Sequence, residues 1–162
     1  MSKFGLRKLG FGILLFGMAV CCYTASPVKA AETDVPIDNK TFPDATFLKY
    51  VGRFDKSGDG RLSESERNAV KEIVVNVDPF SSQTKITSLA GIEYFPNLTV
   101  LECESNSLAG LDVTKNKKLQ ELNCDKNNLQ SLDVSQNTEL IKLQCRYNQL
   151  PGLDVTKNTN LQ

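Results

Sequence analysis

Leu98-Thr99-Val100-Leu101-Glu102-Cys103-Glu104-Ser105-Asn106-Ser107-Leu108-Ala109-Gly110-Leu111-Asp112-Val113-Thr114-Lys115-Asn116-Lys117-Lys118 is followed at once by two more copies of its own pattern, starting at Leu119 and Leu140. The common form is Leu-x-x-Leu-x-Cys-x-x-Asn-x-Leu-x-x-Leu-Asp-Val-x-x-Asn-x-x, and a strict 21-residue period of this kind marks a repeat architecture. Within each copy Leu-x-Cys alternates, so Leu101 and Cys103 point inward while Glu102 and Glu104 point out, as in a short strand. A 21-residue unit leaves too little chain for a full return helix, so a single 3₁₀ turn or an extended segment is expected there. Stacked coils then pair their strands in parallel at about 4.8 Å and line the interior with columns of identical side chains.

Those columns can be assigned roles. Asn106, Asn127 and Asn148 fall where the chain leaves each strand, and a buried amide there satisfies backbone groups of the turn. Asp112, Asp133 and Asp154 would repel one another as a stack, which points to Asp capping its own turn. Cys103, Cys124 and Cys145 form an inward column whose in-register Cβ atoms stay about one coil spacing apart, beyond the usual 3.5 to 4.5 Å of a disulfide. A ladder of reduced thiols acting as small hydrophobes is expected.

Upstream of the repeats, Asp55-Lys56-Ser57-Gly58-Asp59-Gly60-Arg61-Leu62-Ser63-Glu64-Ser65-Glu66 fits a twelve-residue EF-hand calcium loop position by position. Asp55, Ser57 and Asp59 supply oxygens at positions 1, 3 and 5, and Gly60 permits the turn at 6. Arg61 offers its carbonyl at 7, Ser63 ligates directly or through water at 9, and Glu66 closes the shell at 12. Ser63-x-x-Glu66 is also a capping box that starts an exit helix running to about Glu72. Phe47, Val51 and Phe54 lie on one face of an entering helix. With Ser57 at position 3 and no second loop for pairing, a structural calcium site of about 10⁻⁴ to 10⁻³ M is expected rather than a sensor.

Residues 1–30 hold four bases and no acid, with an apolar run Leu9–Val20 and small residues before Ala31, which is the pattern of a secretory signal. Phe4-Gly5-Leu6-Arg7-Lys8 with Gly12 resembles the YSIRK-type signal of Gram-positive surface proteins, matching it strictly at Arg7, Lys8 and Gly12. Cys21-Cys22 follows Val20 rather than a small residue, so cleavage at the later site removes both. The rest of the 162-residue chain has 15 bases against 19 acids and offers no basic footprint for nucleic acid. With no His, buried thiols and no Ser nucleophile beside a base, an enzyme is not expected.

The organisation that follows is a signal peptide over 1–30, a flexible lead-in over 31–41, a helical EF-hand-like cap over 42–83, and the repeat array over 84–162. Ile73-Val74-Val75 and Val77 can begin the first strand of the solenoid, and Ile86 to Leu98 reads as a degenerate first coil. Because Leu161-Gln162 enters a fourth unit, a truncated array is expected.

The repeat resembles that of internalin J-like leucine-rich-repeat surface proteins of Gram-positive bacteria, which show such a cysteine ladder, and Phe42 through Ile92 resembles the EF-hand-like cap ahead of such arrays. The resemblance implies a leucine-rich-repeat solenoid, secreted or displayed on the cell wall, that recognises a protein or glycan without catalysis. Outward strand positions are the expected ligand face: Val100, Glu102 and Glu104; Glu121, Asn123 and Asp125; Lys142, Gln144, Arg146 and Tyr147. This face turns from acidic to basic along the array, on a chain expected to be monomeric. The alternative is a calcium-stabilised spacer whose binding parts lie elsewhere.

Overall fold

The computed structural model describes residues 33–162. The signal-peptide reading, with Cys21 and Cys22, lies outside the described residues.

The three copies stack as the period demands. Strands β3 (Glu72–Val74), β4 (Val100–Glu102), β5 (Glu121–Asn123) and β6 (Lys142–Gln144) form one parallel sheet in that order. Leu101 pairs with Leu122 and Leu122 with Leu143, so the register follows the 21-residue period. Hydrogen bonding runs on past each strand, with the Cys103 N–H on Asn123 O at 2.8 Å and the Ser105 N–H on Asp125 O at 3.0 Å. Each coil returns through two linked turns, Asn116 N–H to Val113 O and Leu119 N–H to Asn116 O, both 3.0 Å. Among the described coils only the first tightens into a 3₁₀ helix, Ile92–Tyr94.

The first coil departs from the others in two ways. Ile86 N–H is bonded by Asn106 Oδ1 as Leu108 N–H is by Asn127 Oδ1, so Ile86 and Leu108 are equivalent. Twelve positions separate Val74 from Ile86, where six separate Glu102 from Leu108, so the first coil carries an insertion around Asp78–Gln83. Moreover, Phe95 occupies the turn position that Asn116 takes one period later, with the same pair of i to i+3 bonds. Phe95 is fully buried against Phe54 at a centroid distance of 5.6 Å and Phe42 at 6.5 Å, joining the array to an aromatic cluster.

That cluster is the core of the cap. Helix α1 (Ala45–Val51) starts at Asp44, whose side chain accepts the Thr46 and Phe47 N–H groups, and tightens into a 3₁₀ turn over Gly52–Phe54. Helix α2 (Glu64–Ala69) is entered through the Ser63/Glu66 capping box and is shorter than the sequence suggests. Val70 already has extended geometry, because Glu72 begins β3 and the sheet ladder claims its backbone. The cap therefore passes into the array before residue 83, and the β3 reading of Ile73-Val74 holds.

The lead-in is not a free linker along its whole length. Strand β1 (Val35–Pro36) pairs antiparallel with β2 (Arg61–Leu62), the eighth loop position Leu62 standing opposite Val35. A short strand from the lead-in thus pairs with the Arg61–Leu62 segment of the loop. Its physical basis is burial: Val35 and Leu62 both enter the core.

Candidate functional site

Two regions are candidates: the cap loop Asp55–Glu66 and the outward face of the sheet. In the loop, Asp55 accepts from the Ser57 hydroxyl at 3.0 Å, the Gly58 N–H at 2.6 Å and the Gly60 N–H at 2.9 Å. Asp59 accepts the Arg61 N–H at 2.9 Å. Gly58 and Gly60 take positive φ of 73° and 76°, which the sharp loop requires. Glu66 reaches back over the loop: Oε1 accepts the Lys56 and Ser57 N–H groups at 2.7 and 3.0 Å, and Oε2 accepts the Ser63 N–H and hydroxyl, both at 2.8 Å. What burial Glu66 has works to raise its pKa, but the bonds from Ser63, Ser57 and Lys56 outweigh it and lower the value to about 2.

The donor set suits a hard cation, since Asp55, Ser57, Asp59, Ser63, Glu66 and the Arg61 carbonyl offer oxygens alone. The loop is nevertheless closed by its own N–H donors. Among the described residues no three His, Cys, Asp or Glu groups gather closely enough to hold a metal. A cation would take over the place that the Lys56 and Ser57 N–H groups occupy on Glu66.

On the sheet, the repeat columns divide into those that build the face and those that show on it. Asn127 Nδ2 donates to Cys103 O at 3.0 Å and Cys124 O at 3.1 Å, while its Oδ1 accepts the Leu108 N–H at 3.0 Å. Asn106 and Asn148 repeat this clasp one coil to either side. The Asp column caps turns as expected, Asp112, Asp133 and Asp154 each accepting the N–H two residues on at 2.9 Å. The second asparagine column, Asn116, Asn137 and Asn158, is visible in the period but its role is not. Each is buried, and Asn137 Nδ2 donates to Val113 O and Asn116 O, both at 2.9 Å, tying return turns of neighbouring coils.

The repeat cysteines Cys103, Cys124 and Cys145 are free thiols. Cys103 and Cys124 are buried and donate weakly to Asn123 O and Gln144 O, both at 3.4 Å. Burial, with Cys145 and Asp125 as lesser causes, pushes the Cys124 thiol up to about 12, and burial likewise raises Cys103 and Cys145. Thiols so held are poor nucleophiles.

The expected ligand face needs one correction. Asp125 is only 5% exposed, because its carboxylate turns along the sheet to accept the Arg146 N–H and, at 3.2 Å, Arg146 Nε. The opposite charges of Asp125 and Arg146 one period apart were the available signal. Glu104 is half-buried and tied to Lys126 at 2.8 Å, and the bonds from Lys126 and then Asn123 lower its pKa. Glu102 accepts the Asn76 amide at 2.7 Å, and Glu121 lies 3.7 Å from Lys142. Glu121, Lys142, Arg146 and Tyr147 remain open to solvent, with Val100, Asn123 and Gln144 intermediate. Ser105, Lys126 and Tyr147 share a positive φ of 61°, 53° and 55° at the strand exits; Ser105 is buried there, whereas Tyr147 stands 75% exposed.

No protein-family model matches the chain, and no curated protein matches it in sequence. Solved structures share its fold. The functional domain of InlJ from Listeria monocytogenes, which includes a cysteine ladder, is 34% identical with a TM-score of 0.69 over 82% of this chain. Internalin C2 from Listeria monocytogenes is 22% identical, TM-score 0.69, over 83% of this chain and 58% of its own, a likeness of fold alone. A leucine-rich-repeat protein of Leptospira interrogans is 27% identical, TM-score 0.51, over 62% of this chain and 26% of its own. The chain spans 28% of the InlJ structure. The fold is a leucine-rich-repeat solenoid of internalin-like form. Among the described residues no helix is long and apolar enough to cross a membrane.

Proposed function

We propose that this leucine-rich-repeat solenoid is a non-enzymatic recognition module, exported by residues 1–30 to the cell surface or medium, whose sheet face binds a protein or glycan in adhesion. The observation that carries the reading is the face itself. Its polar side chains are braced between coils by Glu104–Lys126, Asp125–Arg146 and Glu121–Lys142 contacts, so they stand pre-ordered on a rigid sheet. Preordering lowers the entropic cost of binding. The cysteine-ladder structure at 34% identity supports the same reading, since it shares the core that shapes this face.

The test uses the exposed groups of two neighbouring coils, the Glu121–Lys142 pair, which braces at only 3.7 Å, and the open Tyr147. Glu121→Ala, Lys142→Ala and Tyr147→Ala together should abolish capture of the chain on arrays of glycans and extracellular proteins, while thermal unfolding shifts little. An unchanged capture profile would reject the face.

We also propose that the cap loop takes calcium as a structural ion, held by Asp55, Ser57, Asp59, the Arg61 carbonyl, Ser63 and Glu66. The ion would supply charge neutralisation to a loop whose carboxylates are now held by N–H and hydroxyl donors. Millimolar calcium should raise the melting temperature of the wild type and leave Glu66→Gln unmoved; no rise in the wild type would sink the proposal. If calcium raises stability and the face variant changes no capture, the spacer reading is preferred.

A further inference from the structure

We infer that the groove between helix α1 and strand β3 is a second docking site, and that its occupant is an acidic segment of a partner protein carrying aliphatic side chains beside its carboxylates. The groove holds about 770 Å³ and lies at the cap end of the sheet face, beyond the rungs assigned above. Lys49 and Arg53, one helical turn apart, form one wall, and Tyr50, Val74 and Ile86 contribute the apolar surface.

Three features define the occupant. First, the wall is cationic and unanswered: none of the ion pairs among the described residues involves Lys49 or Arg53. The carboxylate of Asp44 is taken by Thr46, Phe47 and Thr87, and Glu102 is engaged by Asn76. Arg53 lies with its guanidinium carbon 4.5 Å from the Tyr50 ring centroid, a stacking that holds the planar fork ready for a carboxylate.

Second, strand addition is blocked. β3 is the terminal strand of the sheet, yet its outward Val74 N–H is already bonded to Tyr50 Oη at 3.1 Å. The occupant must therefore dock by side chains, and Val74, an outward valine 39% exposed, offers the apolar contact.

Third, the inserted loop of the first coil borders this groove through Gln83 and Thr84 and displays Phe80 at 98% exposure. Asp78 fixes that display, its carboxylate accepting the Phe80 N–H at 2.9 Å and its carbonyl accepting the Ser81 N–H at 3.0 Å. Insertions in repeat arrays commonly carry binding residues, and an aromatic held in water by a built turn is a docking anchor. Val74, 39% exposed, offers aliphatic peptide side chains an apolar contact that a hydroxyl-rich sugar uses poorly.

The experiment measures fluorescence anisotropy of a labelled octapeptide alternating Glu and Val, with its Gln-Val counterpart and a heparin hexasaccharide as competitors. Expected are saturable binding of the Glu-Val peptide and at least tenfold weaker binding of the Gln-Val form. Lys49→Gln with Arg53→Gln should weaken it at least tenfold, Phe80→Ser severalfold, and Arg53→Lys by an intermediate amount. The triple face variant at Glu121, Lys142 and Tyr147 should bind this peptide as the wild type does, which separates failure of this site from failure of the sheet face. Absence of binding at 1 mM peptide, equal binding of the Gln-Val form, indifference to the Lys49/Arg53 change in a variant whose melting is unaltered, or a hexasaccharide that binds more tightly would each overturn the inference.

Discussion

The array and the cap solve the same problem, satisfying and burying a chain with little regular structure, by opposite means. In the array one side chain type serves each purpose at every coil. Asn127 clasps Cys103, Cys124 and Leu108, and the coil before and the coil after repeat the arrangement. In the cap each contact is made once: β1 on β2, Asp44 on Thr87, Tyr50 on Val74, Phe42 among Phe47, Tyr94 and Phe95. The array therefore spreads its stability over equivalent interfaces, as repeat proteins do, whereas the cap concentrates it at a few contacts.

The sharpest way to break this contrast is at the joint. Gly91 has φ of 100°, and a Cβ there would stand 2.2 Å from Phe42 Cδ1 and 2.9 Å from the Thr41 carbonyl oxygen. Gly91→Ala adds a steric clash with backbone to the strain of a positive φ. It should cost about 4 kcal/mol or more and release the cap before the array unfolds. Hydrogen exchange should show residues 35–70 losing protection first; simultaneous loss throughout would mean that the two regions melt as one.

Within the array, Asn127→Ala should cost about 3 kcal/mol, because it leaves the buried Leu108 N–H without its acceptor and reduces Cys103 O and Cys124 O to the single amides of Asn106 and Asn148. Asn148→Ala should cost less, since that clasp is only part-buried and water can replace it. Urea unfolding of both variants gives the comparison, and equal losses would show that depth in the array does not matter.

This difference between regions also explains what the sequence could show. Repetition made the array legible: strands, inward Leu and Cys, Asn clasps and Asp turns all follow from the period, and the structure carries each of them. The second Asn column was visible but mute, because its partners are carbonyls of neighbouring coils and leave no residue-type signature. Asp125 misled because period-two alternation predicts direction but not whether a short carboxylate folds back onto the next coil. In the cap, β1 leaves no signal since two residues carry no periodicity, and only Leu62 opposite Val35 reveals the pairing. The loop Asp55–Glu66 was readable as a shape, yet the Glu66 clasp on Lys56 and Ser57 depends on side-chain reach rather than spacing.

The thiol column tests the array at lower energetic stakes. Cys124→Ala removes one buried sulfur and a weak bond to Gln144 O, and should cost about 1 to 2 kcal/mol. In the native chain from residue 31 onward, a thiol reagent should react slowly at neutral pH, Cys145 first because it is the least buried of the three. Denaturation without reductant should then expose three reactive groups. A count of one would mean that two of the cysteines are joined.

The smallest effect separates cap from array by pH. Glu66 has a lowered folded pKa, about 2 against an ordinary 4.5, so ionised Glu66 stabilises the fold above the ordinary value, and that contribution is lost as pH falls toward 2. Asp112, Asp133 and Asp154 are lowered too, each by the hydrogen bonds of its own turn, so the array also weakens in acid. Because Glu66 lies near the surface, water screens much of its share. Glu66→Gln should therefore flatten the acid limb of cap melting between about pH 4.5 and 2 while leaving the array's limb in place. The cap is read by backbone exchange at Val51 and the array by backbone exchange at Leu122. A Glu66→Gln variant whose cap still loses stability with the wild-type slope would assign the acid sensitivity to Asp55 or Asp44, whose pKa values are also lowered, and would remove Glu66 as the clasp of the loop.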